Sequence, residues 1–280
     1  MRPIDVMHLG HEHVICCWEV DGVLVDPGPQ SCEDTLLAAI GGERPRALLL
    51  THIHFDHAGA AGALVRRWPD LPVYVHERGA KHLVDPARLV ASAARLYGGE
   101  DALAALWGEV VPVPEQNLRV LEGGETDVEG AFRVEYTPGH ASHHVCYFHE
   151  DAGWAFVGDM AGVVVPPEPF TLAPTPPPDI DIEAWERSLE LIAGWEPSTL
   201  ALTHFGRVDD PAEQFERVRV SLHEQARLAG EHDLDGFVKA YSRRVHEQAG
   251  AAADPLLQAA PLDQLYLGLD RWRTKSGQVS

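Results

Sequence analysis

The densest group of chemically active residues in the sequence is the run THIHFDH, residues 51–57. It places three imidazoles and one carboxylate within six positions, at His52, His54, Asp56 and His57. The apolar run ALLL, residues 47–50, precedes it and predicts a buried strand. Imidazole and carboxylate are the groups with which proteins bind zinc and similar divalent ions. The pattern therefore predicts a metal site at a strand end.

Three later segments also place a possible ligand directly after an apolar strand. They are YTPGH with His140, FVGD with Asp159, and LTHFG with His204. Each would be a weak signal alone, because a single histidine at a strand end is more often a hydrogen-bonded structural residue. Ligand sites of layered α/β folds gather at strand ends. Together with the first motif, the three segments predict one shared site.

The elements around these motifs alternate between strand and helix, which favours a layered α/β fold. Helical spacing over about 85–111 predicts a helical insert between strands. The proline-rich run 166–178 is interpreted as a stiff connecting loop or as a wall of the substrate site. We therefore predict a catalytic domain over 1–208, with that insert, followed by a helical C-terminal extension over 209–280.

Taken in order, the four motifs resemble those of the metallo-β-lactamase superfamily, over about Met7 to Val208. THIHFDH resembles the HxHxDH motif, and TPGH, GD and THFG resemble the later His, Asp and His motifs. The resemblance implies a four-layer αββα sandwich with two metal ions. It assigns the first ion to His52, His54 and His140, the second ion to Asp56, His57 and His204, and the bridging position to Asp159.

The same resemblance suggests supporting roles for residues outside the ligand set. His144, in TPGHASHH, would hold a ligand from behind, with His143 as the alternative for that role. Asp26, in VDPG, resembles the family's strand-end aspartate near the metal centre. Asp56 is also the candidate catalytic residue, since it could orient the attacking hydroxide or pass on a proton.

The predicted chemistry is hydrolysis by a hydroxide that bridges the two ions, because such a hydroxide forms at neutral pH. The expected substrate is a small ester, thioester or lactone, since the helical C-terminal part resembles the glyoxalase II arrangement in outline. The alternatives are a phosphodiesterase or nuclease of the same fold, a di-iron redox protein, and a non-enzymatic metal-binding scaffold. Zinc is the expected metal, and iron and manganese also suit these ligands.

Composition limits the partners and the compartment. The chain has 22 Lys and Arg against 43 Asp and Glu, a formal net charge of -21, so its surface should repel phosphate backbones and anionic lipids. We expect a small-molecule substrate, no nucleic acid and no membrane, with a homodimer left open. The start of the chain lacks an apolar signal segment, and the four cysteines fit no disulfide or zinc pattern, so we expect a cytoplasmic protein.

Overall fold

Thirteen strands and eleven α-helices make up the described part of the chain, residues 1–166 and 169–277 of a computed structural model. Pro167 and Glu168, in the predicted proline-rich loop, lie outside the described residues. The strands are β1 (Arg2–Asp5), β2 (Cys16–Val20), β3 (Val23–Val25), β4 (Ala47–Leu49), β5 (Val73–His76), β6 (Leu118–Leu121), β7 (Phe132–Tyr136), β8 (Val145–His149), β9 (Trp154–Gly158), β10 (Val163–Val164), β11 (Thr171–Leu172), β12 (Thr199–Leu202) and β13 (Gly206–Val208). The helices are α1 (Glu33–Ala39), α2 (Phe55–Ala58), α3 (Ala61–Arg67), α4 (Glu77–Val84), α5 (Ala87–Tyr97), α6 (Glu100–Trp107), α7 (Ile182–Ala193), α8 (Pro211–Glu231), α9 (Leu234–Ala249), α10 (Ala253–Ala259) and α11 (Leu262–Lys275).

Two mixed sheets form the centre of the fold. The first has the order β1-β2-β3-β4-β5-β6, and its strands are antiparallel from β1 to β3 and parallel from β3 to β6. The second has the order β13-β12-β9-β8-β7, with β9 and β12 parallel and the other pairs antiparallel. Within the predicted proline-rich loop, β11 pairs antiparallel with β10, which precedes the loop, and the two strands form a short ribbon.

Side-chain alternation along the strands creates four layers. Val145 and Tyr147 on β8 pack between the sheets, whereas Cys146 and Phe148 on the same strand pack toward the helices behind the second sheet. Successive residues of a strand point to opposite faces, so buried residues on both faces require cover on both sides. The first sheet behaves in the same way at Cys16 and Cys17. The predicted αββα sandwich is confirmed.

Three consecutive helices of the second half begin at aspartates that accept a backbone hydrogen bond in the first turn. Asp181, Asp210 and Asp233 start α7, α8 and α9 in this way. Such a cap satisfies one of the unpaired N–H groups at a helix start and is worth about 1 kcal/mol. Helices α8 to α11 then pack behind the second sheet through one apolar cluster that includes Phe237 and Leu269.

The predicted division into a domain over 1–208 and an extension over 209–280 stays a prediction. None of the described helices combines the length and the apolar character needed to cross a membrane.

Candidate metal centre

The four sequence motifs meet at one edge of the two sheets. His52 follows β4 after two residues, Asp159 follows β9 directly, and His204 follows β12 after one residue. His140 comes after β7 and a turn at Gly139, whose φ is +144°. A Cβ at Gly139 would lie 2.3 Å from the Cα of Trp185, so only glycine allows this turn to pack against α7.

The first ligand group consists of His52, His54, His140 and Asp159, and one ligand atom from each lies within 4.8 Å of the others. His54 Nδ1 is 2.9 Å from His52 Nε2 and 3.1 Å from His140 Nε2. Asp159 Oδ2 lies 3.1 Å from His140 Nε2. The four ligand atoms therefore surround one small volume.

The second ligand group consists of Asp56, His57 and His204. Asp56 Oδ2 is 3.3 Å from His204 Nε2 and 3.8 Å from His57 Nε2. The other oxygen of Asp159, Oδ1, lies 3.1 Å from His57 Nε2. The two oxygens of Asp159 thus face the two groups separately, which is the geometry that a bridging carboxylate requires.

Hydrogen bonds behind the rings decide which nitrogen carries the proton. His140 Nδ1 donates to the carbonyl of Pro174 at 2.8 Å, and His204 Nδ1 donates to the carbonyl of Val14 at 2.6 Å. His57 Nδ1 donates to the Asp26 carboxylate at 2.7 Å. A neutral imidazole that donates from Nδ1 presents a lone pair at Nε2.

His52 is held in the same tautomer through a threonine. The hydroxyl of Thr51 donates to Asp26 at 2.7 Å, and so it is left to accept from His52 Nδ1 at 3.1 Å. In their neutral forms, these four histidines therefore aim Nε2 lone pairs at the two carboxylates and at each other. Electron pairs turned toward one another in a buried site fit a cation between them, and the nitrogen and oxygen donor set suits zinc, iron or manganese.

Two buried atoms of the predicted ligands, His57 Nε2 and Asp159 Oδ1, lie 3.1 Å apart, but no hydrogen bond of good geometry reaches either of them from the described residues. Buried polar atoms without a partner are rare and costly. A shared metal ion would satisfy both atoms, so the residues present fit the two ions that the motifs predict. That these side chains bind metal stays a prediction.

Asp26 connects both sheets from beneath the site. The side chain is fully buried and accepts four hydrogen bonds. Oδ1 accepts from the backbone N–H of Thr51 at 2.8 Å, and Oδ2 accepts from the hydroxyls of Thr51 and Thr203 and from His57 Nδ1, each at 2.7 Å. The carboxylate thereby fixes the strand ends that carry His52 and His204 and orients His57 directly. This placement agrees with the supporting role predicted for Asp26.

His144 supports the site by packing rather than by a hydrogen bond to a ligand. Its ring stacks on His52 with centroids 5.0 Å apart, and its Nδ1 lies 3.0 Å from the Thr137 hydroxyl. His143, the alternative, instead lines the cavity above the site, with its ring 5.7 Å from that of His54. The structure thus separates the two histidines by position.

The environment divides the histidines into two electrostatic classes in the metal-free protein. Burial lowers the pKa of His52 well below its usual range and that of His54 to about 4, and neighbouring imidazoles add to the effect. Burial also acts to lower the pKa of His57, but the carboxylates of Asp159 and Asp26 outweigh it and raise that pKa well above the usual value. Whether the pKa of each histidine is lowered or raised thus depends on which charged groups lie nearest to it.

His204 belongs with His57, because Asp159 and Asp56 overcome burial and raise its pKa. In return, the nearby imidazoles hold the pKa of Asp56 and that of Asp159 below the usual range despite burial, with His57 the largest contributor. In the second ligand group, the carboxylates and the imidazoles therefore each favour the ionised form of the other.

A cavity of about 990 Å³ opens directly above the ligand groups. Asp56, whose side chain is 19% exposed, lies between the buried ligands and this cavity. The walls of the cavity come from the insert helices α5 and α6, from the proline-rich segment at Pro174 and Pro176, and from α11. The described part of that segment therefore lines the cavity, and that the cavity is the substrate site stays a prediction.

The motifs did not reveal four groups that position the ligands. The carbonyls of Val14 and Pro174 carry no sequence signal, because any residue supplies a carbonyl. Thr51 and Thr203 do carry one, since each directly precedes a ligand histidine at a strand end. That repeated threonine–histidine pair could have identified the hydroxyls that meet at Asp26.

The chain is similar in sequence to known proteins of one family. The family model "Metallo-beta-lactamase superfamily" matches residues 19–204. Over 141 residues the chain is 33% identical to "Probable metallo-hydrolase YqgX" of Bacillus subtilis, a match that covers 49% of this chain and 60% of that protein. It is 29% identical over 145 residues to a hydroxyacylglutathione hydrolase of Legionella pneumophila, covering 50% of this chain and 44% of that protein. The chain thus aligns with only about half of the length of these curated relatives.

One solved structure resembles the whole chain. ST1585 from Sulfolobus tokodaii, an archaeal metallo-β-lactamase superfamily protein, superimposes with a TM-score of 0.70 at 22% sequence identity. The superposition covers 98% of each chain, so it includes the insert and the C-terminal helices. At that identity the likeness supports the fold.

Proposed function

The chain belongs to the metallo-β-lactamase superfamily, and from that premise we propose that it is a hydrolase that holds two divalent ions and cleaves a small ester, thioester or lactone. The observation that carries the proposal is the convergence of imidazole lone pairs and of both Asp159 oxygens on two adjacent volumes. A non-enzymatic scaffold would not need the open cavity above them, because structural metal sites are usually closed.

When bound, the two ions would polarise a carbonyl and lower the pKa of a water molecule, which is the chemistry that hydrolysis requires. The protein's own residues would do the rest. Hydrogen bonds at Nδ1 orient the rings of His52, His57, His140 and His204 and so would keep the ligand set in place before substrate binds. Asp56 is placed to accept a proton at its carboxylate on the side that faces the cavity.

The relatives favour carbon–oxygen or carbon–sulfur ester cleavage over the alternatives. Hydroxyacylglutathione hydrolase, by its name, hydrolyses a glutathione ester of a hydroxy acid. We extend to this chain only the class of reaction, in which water adds to an acyl carbon and an alcohol or thiol leaves. The number and identity of the ions belong to the same proposal.

The test combines metal analysis with a substrate panel. Protein purified without added metal is assayed for bound ions, and then with p-nitrophenyl acetate, a lactone and bis(p-nitrophenyl) phosphate, with and without chelator. We expect bound ions and chelator-sensitive cleavage of the acyl substrates. Cleavage of the phosphodiester alone would instead assign the chain to the phosphodiesterase alternative, and protein that never takes up metal would refute the proposal.

His54→Ala supplies the matched variant, and His223→Ala, an exposed histidine on α8, supplies its control. The first change should remove at least one ion and lower kcat/KM about 10³-fold, because it deletes a ligand from the first group. The second should leave both quantities unchanged. Full metal content in His54→Ala would exclude His54 as a ligand.

A further inference from the structure

The cavity above the metal centre collects positive charge in a chain that is strongly acidic. Five of its 22 Lys and Arg residues line the cavity, against three of its 43 Asp and Glu residues. Two of those three acids, Asp56 and Asp159, belong to the metal centre. The third, Asp179, accepts a hydrogen bond from the Ser142 hydroxyl. The five cations are Arg78, Lys81, Arg88, Arg95 and Arg271.

Among the described residues, these cations have no ionic partner within 4.0 Å. Ten arginines elsewhere in the chain pair with a carboxylate within 4.0 Å, and none of those ten lines the cavity. Within the described residues, no carboxylate lies that close to any of the five. Seven other Lys and Arg residues, all outside the cavity, also lack a carboxylate this close among the described residues. The distinguishing feature is therefore that five such cations surround one opening in a chain with about two acids for every base, which indicates a group that binds an anion from outside.

The five side chains form a rim because all are exposed and they come from three helices. Arg78 and Lys81 lie on α4, Arg88 and Arg95 on α5, and Arg271 on α11, where its Nε donates to the carbonyl of Pro178 at 3.1 Å. Arg88 and Arg95 are seven residues apart, which is about 10 Å along a helix. Charges spread over that distance suit several anionic groups better than one.

The inner wall of the same cavity is apolar. Leu89 and Leu96 on α5 face it together with Leu106 and Trp107 of α6. Phe55 completes the wall next to the ligand His54, and the Trp107 ring stacks on His8 at 4.8 Å. The cavity is near the upper end of the roughly 300–1,000 Å³ range of small-molecule sites, so it has room for a chain well beyond an acetyl group.

We propose that the substrate is an acyl ester or thioester with an extended apolar acyl chain and a multiply anionic leaving group, which the rim of Arg78, Lys81, Arg88, Arg95 and Arg271 binds. This inference rests on the hydrolase function proposed above. Water supplies the oxygen that joins the acyl carbon as the bond to sulfur or oxygen breaks. One proton of the water leaves with the thiol or alcohol and the other with the carboxylic acid, so no further reactant is needed.

Matched thioesters test the charge requirement. Octanoyl-coenzyme A, S-octanoylglutathione and S-octanoyl-N-acetylcysteamine share one acyl chain and one thioester and differ in carrying phosphates, carboxylates or no anion. We expect kcat/KM to be at least about tenfold higher for an anionic member than for the neutral one, and to fall with added salt for the anionic member alone. Preference for the coenzyme A or the glutathione ester identifies the anion as phosphate or carboxylate.

The double variant Arg88→Glu/Arg95→Glu tests the rim. Both residues are exposed, so the fold should tolerate the change, and Arg187→Glu/Arg243→Glu is its control, since both arginines are exposed helical residues outside the cavity. The rim variant should lose about tenfold or more in kcat/KM for the anionic thioester, with less than a twofold change for the neutral one and an unchanged metal content. The control should lose neither.

Three outcomes are distinguishable. Wild-type protein that cleaves neither kind of thioester nor any simple ester defeats the hydrolase function itself. Equal cleavage of charged and neutral thioesters overturns the rim inference and leaves the hydrolase intact. An equal loss on both substrates in the rim variant also overturns it, because charge recognition would spare the neutral substrate.

Discussion

Replacing Asp26 with Asn should damage both the fold and the second metal position, although the two side chains have the same shape. Asp26 has a φ of +49°, and asparagine tolerates this left-handed conformation as well as aspartate does. The change therefore isolates the four hydrogen bonds and the charge. None of the predicted ligands is altered.

The magnitude follows from the donors around the carboxylate. Oδ2 accepts three hydrogen bonds and Oδ1 accepts one, all between 2.7 and 2.8 Å. An amide has only one oxygen, so its NH₂ group must face at least the N–H of Thr51, and a buried donor without a partner costs about 1–3 kcal/mol. The three remaining bonds lose a charged acceptor, which is roughly half of their strength. We expect a total loss of about 3 kcal/mol in the free energy of unfolding.

The assay separates stability from metal binding. Denaturant unfolding of the chelator-treated protein measures the first quantity. Competition with a chromogenic chelator measures the second, and we expect the weaker-bound ion to lose about 10- to 100-fold in affinity because the support behind His57 is gone. Asp233→Asn is the control, since it removes the same charge from a helix cap where asparagine serves equally well.

If the free energy of unfolding of Asp26→Asn lies within about 0.5 kcal/mol of the wild-type value, the usual range for a harmless surface change, the four hydrogen bonds do not stabilise the fold as expected. If stability falls as expected while both ions bind with unchanged affinity, the expected effect on metal binding is refuted. In that second case Asp26 would join the sheets without orienting His57.

Two further predictions concern protonation and packing. The raised pKa values of His57 and His204 favour their protonated forms, and only the neutral ring binds metal, so filling the second position should release protons. Calorimetry in buffers of different ionisation enthalpy would measure that release, and the affinity for metal should rise with pH. Gly268→Ala should destabilise the protein by about 2–3 kcal/mol, because its Cβ would lie 1.9 Å from the carbonyl oxygen of Thr175. Gly230→Ala is the control, because its Cβ would meet only the flexible end of Arg273, and it should be neutral or up to about 1 kcal/mol stabilising. Thermal or denaturant unfolding measures both changes.

The sequence predicts the layers well because they depend on local patterns. A strand whose successive residues are all apolar, such as ALLL before Thr51, must be covered on both faces, and the structure covers it with the second sheet on one side and helices on the other. The interpretation of 166–178 was weaker, since proline content predicts what a segment cannot form rather than what it contacts. The carbonyl of Pro174 orients His140, and that contact depends on a tertiary approach across 34 positions.

The ligand motifs can be recognised in the sequence for a related reason. His52, His54 and His57 lie within one short run, and the residue types alone restrict the chemistry. The resemblance places Asp26 near the metal centre, but its four donors come from two separate segments, 51–57 and Thr203, and cannot be counted from sequence. Hydroxyl and carbonyl partners of a ligand depend on geometry, because threonines and carbonyls are common along any chain.

Of the sequence features, the net charge of the chain predicts least about the charge at the site. A formal charge of -21 suggests that anions are repelled, yet screening limits an exposed charge to about 8–10 Å at physiological ionic strength. At that range a substrate at the cavity mouth meets Arg78, Lys81, Arg88 and Arg95, and acidic groups farther away are largely screened. The folding of α4 and α5 side by side concentrates these cations, and that placement is invisible in a sum over the chain. An acidic total is therefore compatible with a site selective for anions, and the salt dependence of kcat/KM measures the local field rather than the total.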